Sequence, residues 1–327
     1  MTENRVSVLL TFYNQEEYVD TAIESVLSQK TDFGVKLIVG DDGSTDGTCA
    51  AVNNWIERYP DMIELHVMER GTGVSIPGFR ASRNRLNLLK YVDTEYFIFL
   101  DGDDRFTNEF KLQKQVGLLD LEENKDCIAC GHNTYRLYDN GTRIPMTDKT
   151  LPEGKLTLKK YWSNYHIHTD SLLMRSLVIA DIDQELLENE YNDNMITLSA
   201  FQHGMIYYFP EVWAEYVQTN KGLWTSEKET VNLIRNMIFY DLSCRIDPGI
   251  RMQSLNRFSY VWKNLYKIRK QLVSAELSAY YSEAKEKHCK NAEKWARYSE
   301  LGRFQRAGLV MKTFMIVCLA PFLRRLF

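Results

Sequence analysis

The strongest constraint on how this chain can fold is a regular alternation across its first 130 residues. Short, mainly apolar runs take turns with segments that are apolar on one helical face only. Residues 6–12 (VSVLLTF), 35–39 (VKLIV), 63–68 (IELHVM) and 96–100 (YFIFL) read as strands, and the most continuously apolar of them as strands buried on both faces. Between the first two, Val19, Ile23, Val26 and Leu27 fall at helical spacing. Residues 48–59, 81–91 and 109–121 read as further helices. Strand–helix alternation of this kind predicts an α/β fold, a mostly parallel central sheet with helices on both faces. Ligands of such sheets bind at the carboxyl ends of the strands.

Beyond this region, residues 126–138 look like another strand, and 140–154 are rich in turn formers. Residues 155–224 mix short elements without clear alternation. From 226 to 301 the pattern is helical, broken once at Asp247-Pro248-Gly249. A chain of 327 residues with 44% hydrophobic and 26% charged residues has ample material for a core. Its six cysteines are scattered, and the first strand begins almost at the amino terminus with no visible signal peptide, so a reducing cytoplasm is the expected setting.

The net charge of −4 conceals an asymmetry: from Arg245 onward there are 17 Lys+Arg against 6 Asp+Glu, leaving an acidic body. A basic tail suits an anionic partner. Residues 308–327 (GLVMKTFMIVCLAPFLRRLF) are apolar with basic ends, but the uninterrupted stretch is shorter than the ~20 residues that span a bilayer. Residues 303–327 are therefore expected to lie in a membrane interface as an amphipathic segment; a terminal helix docked on protein is the competing reading. No nucleic-acid reading motif accompanies the charge, so nucleic acid is not an expected partner.

Three predicted strands end in polar clusters: Thr11-Phe12-Tyr13-Asn14-Gln15-Glu16, Asp41-Asp42-Gly43-Ser44-Thr45-Asp46-Gly47 and Asp101-Gly102-Asp103-Asp104. Carboxylates at the end of an apolar strand, with no histidine nearby in sequence, suit a hard divalent ion that takes phosphate and water oxygens as its other ligands. A glycine spacer would let the ligand approach the backbone. The competing reading is that the aspartates cap a following helix. Asp42 to Gly47 superficially resembles a calcium loop, but Asn53 stands where a bidentate glutamate is needed. Cys127-x-x-Cys130 and His132 invite a zinc reading; on a strand, residues three apart face opposite ways, so a buried structural pair is expected. His166 and His168, ahead of Asp170 and Ser171, are either packed or in contact with phosphate or acceptor.

The three clusters, in the runs VSVLLTFYNQEEYV, VGDDGSTDGT and SRNRLNLLKYVDTEYFIFLDGDD, resemble the donor-binding half of glycosyltransferase family 2. The resemblance extends more loosely through HTDSLLMRS and YNDNMITLSAFQHGMIYYFPEVWAEYVQTNKGLW. It implies a GT-A type αβα layer followed by a helical C-terminal region. The expected division is a catalytic domain over 1–225, with donor half 1–130 and acceptor half 131–225, then a helical region over 226–302.

The resemblance also implies roles. Thr11 and Tyr13 would hold the base and ribose, Asp42 the uracil, Arg83 the diphosphate, and Asp101 the ribose and metal. Asp103 would be the direct ligand of Mn²⁺ or Mg²⁺, and Asp193 the general base. Asn192 replaces the family's usual glutamate beside that base, and Thr219 stands where many members carry histidine. The implied activity is inverting, metal-dependent transfer of one sugar from a nucleotide-diphosphate sugar, such as a UDP-sugar, to a glycan or lipid-linked acceptor. Bacterial surface polysaccharide synthesis, at the inner face of the cell membrane, would suit it. A sugar-phosphate nucleotidyltransferase would need a Gly-rich basic loop after the first strand, where this chain has Tyr13-Asn14-Gln15-Glu16. A non-catalytic glycan-binding or sugar-nucleotide-binding module is the third reading.

Overall fold

The strand–helix alternation forms as expected, with element ends shifted by a few residues. In a computed structural model the described residues are 3–69, 77–148, 150–181, 193–218, 229–268, 270, 278–287 and 290. Two compact units divide the chain, Met1–Gly222 and Leu223–Phe327.

The first unit is built on strands β1 (Asn4–Phe12), β2 (Gly34–Asp41), β3 (Ile63–Val67) and β4 (Tyr96–Asp101), all mutually parallel where they pair. Short β5 (Arg105–Phe106), long β6 (Cys127–Tyr138), β7 (Arg143–Pro145), β8 (Gly154–Leu156), β9 (Leu173–Arg175) and long β10 (Met205–Gln218) complete the sheet. Their order is β3-β2-β1-β4-β9-β6-β10-β5, with β7 on β6 and β8 on β10. The long ladders are parallel, including β6 with β10. The short strands β5, β7, β8 and β9 add antiparallel pairs. With β9 between them, β4 and β6 bring the two halves of the unit into one sheet.

Helices α1 (Val19–Leu27), α2 (Thr48–Arg58), α3 (Pro77–Leu89) and α4 (Lys111–Asp120) cover this sheet. Each presents one buried stripe, such as Val19, Ala22, Ile23 and Val26 on α1. Val6, Val8, Leu9 and Leu10 of β1 are fully buried although successive side chains point to opposite faces, so both faces of the central strand are covered. At the opposite end of the sheet from the polar clusters, the Arg5 guanidinium donates to Glu95 (3.0 Å) and Asp120 (2.8 Å), and the Tyr96 hydroxyl donates to Asp120 at 2.8 Å. The second half of the unit adds α5 (Leu158–Asn164) and α6 (Asp193–Phe201).

In the second unit, α7 (Glu229–Ile246) and α8 (Arg251–Ile268) are separated by a 3-10 turn at Pro248–Ile250. The helix stops at the expected place because proline lacks the amide proton that would continue it. The two helices pack through buried Ile234, Met237, Leu242, Phe258, Trp262 and Leu265. A Ser243–Ser254 hydroxyl pair at 2.9 Å adds to the contact. The basic segment 303–327 lies outside the described residues.

Candidate active site

Strand register brings the three polar clusters level. Thr11 pairs with Asp101 across β1 and β4, and Phe12 pairs with Asp41 across β1 and β2. The carboxyl ends of the three strands therefore meet on one edge. There the Thr11 hydroxyl donates to Asp101 Oδ1 at 3.2 Å, and Arg85 Nη2 donates to both Asp101 oxygens at 2.7 and 2.6 Å.

The loops after β1 and β2 are laced together. Asn14 adopts a positive φ of 49°, a conformation asparagine tolerates better than most residues. This lets its amide donate to Ser44 Oγ (2.8 Å) while its side-chain oxygen accepts from Thr45 N (2.8 Å). Gln15 N donates to Thr48 Oγ1 at 2.9 Å, and Gly47 N donates to Glu16 Oε2 at 3.1 Å. Asp41 accepts from Ser44 N at 2.7 Å, and Asp46 caps the start of α2 by accepting from Thr48 N at 3.0 Å. These aspartates are spent on shaping the loop. Asp42, beside them, is buried, and its amide donates to Phe12 O at 3.0 Å. Tyr13 is half-buried at the same rim.

Of the two arginines near the site, Arg83 is exposed, whereas Arg85 is buried and bonded to Asp101. The buried face of α3 carries Ser82, Arg85, Leu88 and Leu89 at helical spacing, and Arg83 falls off it. That periodicity is the signal that would have singled out Arg85.

A Cβ at Gly102 would stand 2.2 Å from the Phe12 ring and 2.6 Å from Gln15 Oε1, so the glycine makes room for Phe12 and Gln15. Asp103 follows. Burial, then the neighbouring charge of Asp101, pushes its carboxyl up to about 6, while Gln15 opposes the shift by hydrogen bonding. Asp104 is fully buried and accepts from Val217 N at 2.9 Å, tying the loop to β10. Burial, then Asp103, raises its carboxyl well above the ordinary range.

Beside Asp104 lie His168 and Asp170, 3.1 Å apart (Nδ1 to Oδ1) and both buried. One ligand atom from each of Asp104, His168 and Asp170 lies within 4.8 Å of the others, close enough for one metal ion. His168 is buried, with the Tyr216 ring 4.7 Å away.

Asp193 is the first residue of α6; its side chain and the preceding residues 191 and 192 lie outside the described residues, as does Thr219. Cys127 and Cys130 are buried free thiols on β6. His132, also buried, engages the Asn133 carbonyl through Nδ1 at 2.7 Å.

Comparison with known proteins agrees with this architecture. The model of Glycosyl transferase family 2 matches residues 7–182, more than half of the chain. The chain belongs to that family. An uncharacterised protein of Mycobacterium tuberculosis is 27% identical over 230 residues, spanning 68% of this chain and 61% of that one. The chain thus spans about three-fifths of that relative's length.

Among solved structures, Staphylococcus aureus TarS residues 1–349 in complex with UDP-GlcNAc matches with a TM-score of 0.63 at 18% identity, covering 96% of this chain and 90% of that one. A Pyrobaculum calidifontis mannosyltransferase in complex with GDP-Man and Mn²⁺ matches with a TM-score of 0.52 at 14% identity, covering 97% and 88%. At such identities the shared feature is the fold.

Proposed function

We propose that the protein transfers one sugar from a nucleoside-diphosphate sugar to a hydroxyl of a glycan or lipid-linked acceptor, with inversion at the anomeric carbon. The observation that carries this reading is the register that pairs Thr11 with Asp101 and Phe12 with Asp41, so that Asp42, Asp101 and Asp103 follow the ends of neighbouring strands at one sheet edge. In this reading residues 1–225 form the catalytic domain, the donor on 1–130 and the acceptor on 131–225. Asp42 accepts the imide proton of uracil, which favours UDP over other nucleotides. Tyr13 stacks on the base, and Thr11 and Asp101 hold the ribose. Arg83, exposed at the surface of α3, is available to the diphosphate. Arg85 fixes the Asp101 carboxylate.

The carboxylates suit a divalent cation. Burial first, and then the charge of Asp101, raise the Asp103 carboxyl, and an all-oxygen set fits Mn²⁺ or Mg²⁺. Bound by Asp103 and Asp101, such an ion would neutralise charge on the departing diphosphate. Asp193, at the start of α6, takes the acceptor hydroxyl's proton as that oxygen attacks the face opposite the leaving group. The Asn14–Ser44 and Gln15–Thr48 bonds hold the donor loops before substrate arrives, and such preorganisation lowers the entropic part of the barrier.

Release of nucleoside diphosphate from UDP-sugars, with and without Mn²⁺, tests the reading. The transferase proposal requires diphosphate release that depends on acceptor. Pyrophosphate release when UTP and a sugar 1-phosphate are supplied instead would indicate a nucleotidyltransferase, and binding without turnover a non-catalytic module.

We also propose that residues 303–327 dock the enzyme on the inner face of the cell membrane. No helix among the described residues is long and apolar enough to cross a membrane. Flotation with anionic liposomes should be lost when 303–327 are removed, and equal flotation of both forms would overturn this anchor.

A further inference from the structure

Asp104, His168 and Asp170 come from two separate places in the fold: the loop after β4, and the 3-10 turn Thr169–Ser171 that precedes β9, which His168 caps and which contains Asp170. All three are buried, at 1%, 4% and 0% exposure. His168 Nδ1 lies 3.1 Å from Asp170 Oδ1 and 3.9 Å from Asp104 Oδ2. Two ligands on one ion, at bond lengths of about 2.1 Å, stand roughly 3–4 Å apart, so these spacings suit a shared cation.

The hydrogen bonds of the two carboxylates sharpen the point. Asp104 Oδ1 accepts from Val217 N, and Asp170 Oδ1 accepts from the Thr134 hydroxyl at 3.0 Å. The second oxygen of each, Oδ2, is fully buried with no hydrogen-bond partner. A buried carboxylate oxygen without donor or cation is costly, so two in one group call for positive charge. Lys111 is a buried amine close enough to feel Asp170, but it donates to Gln115 Oε1 at 2.8 Å and sits 4.1 Å from the centre of the Phe106 ring.

We propose that Asp104, His168 and Asp170 hold a resident divalent cation, Mn²⁺ or Zn²⁺, distinct from the ion that arrives with the donor on Asp101 and Asp103. Two carboxylates and one imidazole form an oxygen–nitrogen set that both metals accept. Full burial shuts the site off from bulk solvent and favours a structural role, and the second oxygen of Asp104 or Asp170 could fill the position that three protein ligands leave open. The ion joins the loop that carries Asp103 to the turn before β9, and through Asp104 to β10, so it holds the donor-side carboxylates in register with the acceptor half. Its presence does not depend on the transferase reading.

The experiment is metal analysis of the full chain, incubated with Mn²⁺ or Zn²⁺ without nucleotide, dialysed against chelator-free buffer and measured by inductively coupled plasma mass spectrometry. The wild type should retain one ion per chain. Asp103→Asn should keep it, whereas His168→Ala and Asp170→Asn should lose it, with near-ultraviolet circular dichroism reporting whether each variant folds. A wild type that retains no stoichiometric ion, or folded His168→Ala protein that retains it, overturns the proposal. Should both variants fail to fold, anomalous diffraction from Mn²⁺-soaked wild-type crystals decides: a peak among the three side chains is expected, and its absence overturns the site. A further Mn²⁺ equivalent that appears with UDP and vanishes in Asp103→Asn would be the donor ion. Its failure to appear would count against the donor-site reading and leave the resident ion standing.

Discussion

Arg85→Gln is the sharpest test of how the site is held together. The Arg85 side chain is 9% exposed and the Asp101 side chain 26%, and they share two hydrogen bonds of 2.7 and 2.6 Å. Removing one partner from a fully buried pair costs about 3–5 kcal/mol, because the remaining charge is stranded. Asp101 keeps some water, which screens it, so about 2–3 kcal/mol is expected here. For a unit of this size each kcal/mol shifts Tm by about 2–4 °C, giving a fall of roughly 5–10 °C. Arg83→Gln, an exposed change on the same helix, should stay within about 0.5 kcal/mol. Urea titrations and thermal scans of both variants beside the wild type, without metal or nucleotide, read the difference directly. Equal losses in the two variants, or a loss confined to Arg83→Gln, would refute the assignment of Arg85 as the residue that supports Asp101.

Two further changes probe the chemistry. Asp193→Asn should lower turnover by about 10²–10⁴-fold, the usual contribution of a general base, while leaving the calorimetric donor affinity near wild type; full activity in the variant would remove Asp193 from the mechanism. The Asp103 carboxyl, raised from 3.8 to about 6, holds a proton in the folded, metal-free protein that the unfolded chain releases at lower pH. Its contribution to stability is therefore present below about pH 4 and lost as pH rises through about 6. Mn²⁺ affinity should rise across the same interval, since the metal needs the carboxylate. Urea midpoints measured from pH 4 to 7 should lose this component in Asp103→Asn, and an unchanged profile would contradict the coupling.

Much of the first 130 residues could be read from the sequence because their signals are local. β1, β2, β3 and β4 are runs of adjacent apolar residues, and their polar ends lie next to them in the chain, so motif and strand end coincide. What escaped depends on partners far away in sequence. Asp104, His168 and Asp170 are brought together across more than sixty residues by β9, a strand of three residues with no periodicity of its own. The Phe12 ring that needs Gly102 to lack a side chain comes from β1, far back in the chain. That Arg85 supports Asp101 turns on which way α3 faces the sheet. The antiparallel strands β5, β7 and β8, each two or three residues long, are set by pairing with β6 and β10, not by intrinsic preference.

Isothermal titration of UDP into the wild type, Asp42→Asn and Asp103→Asn, each with Mn²⁺ and with chelator, bears most directly on the claim that this sheet edge binds a nucleotide sugar. Saturable binding by the wild type in Mn²⁺, weakened at least tenfold by chelator and by either substitution in folded protein, is the predicted result. Binding of the same strength in all three proteins, with or without metal, would place the nucleotide elsewhere and contradict the account.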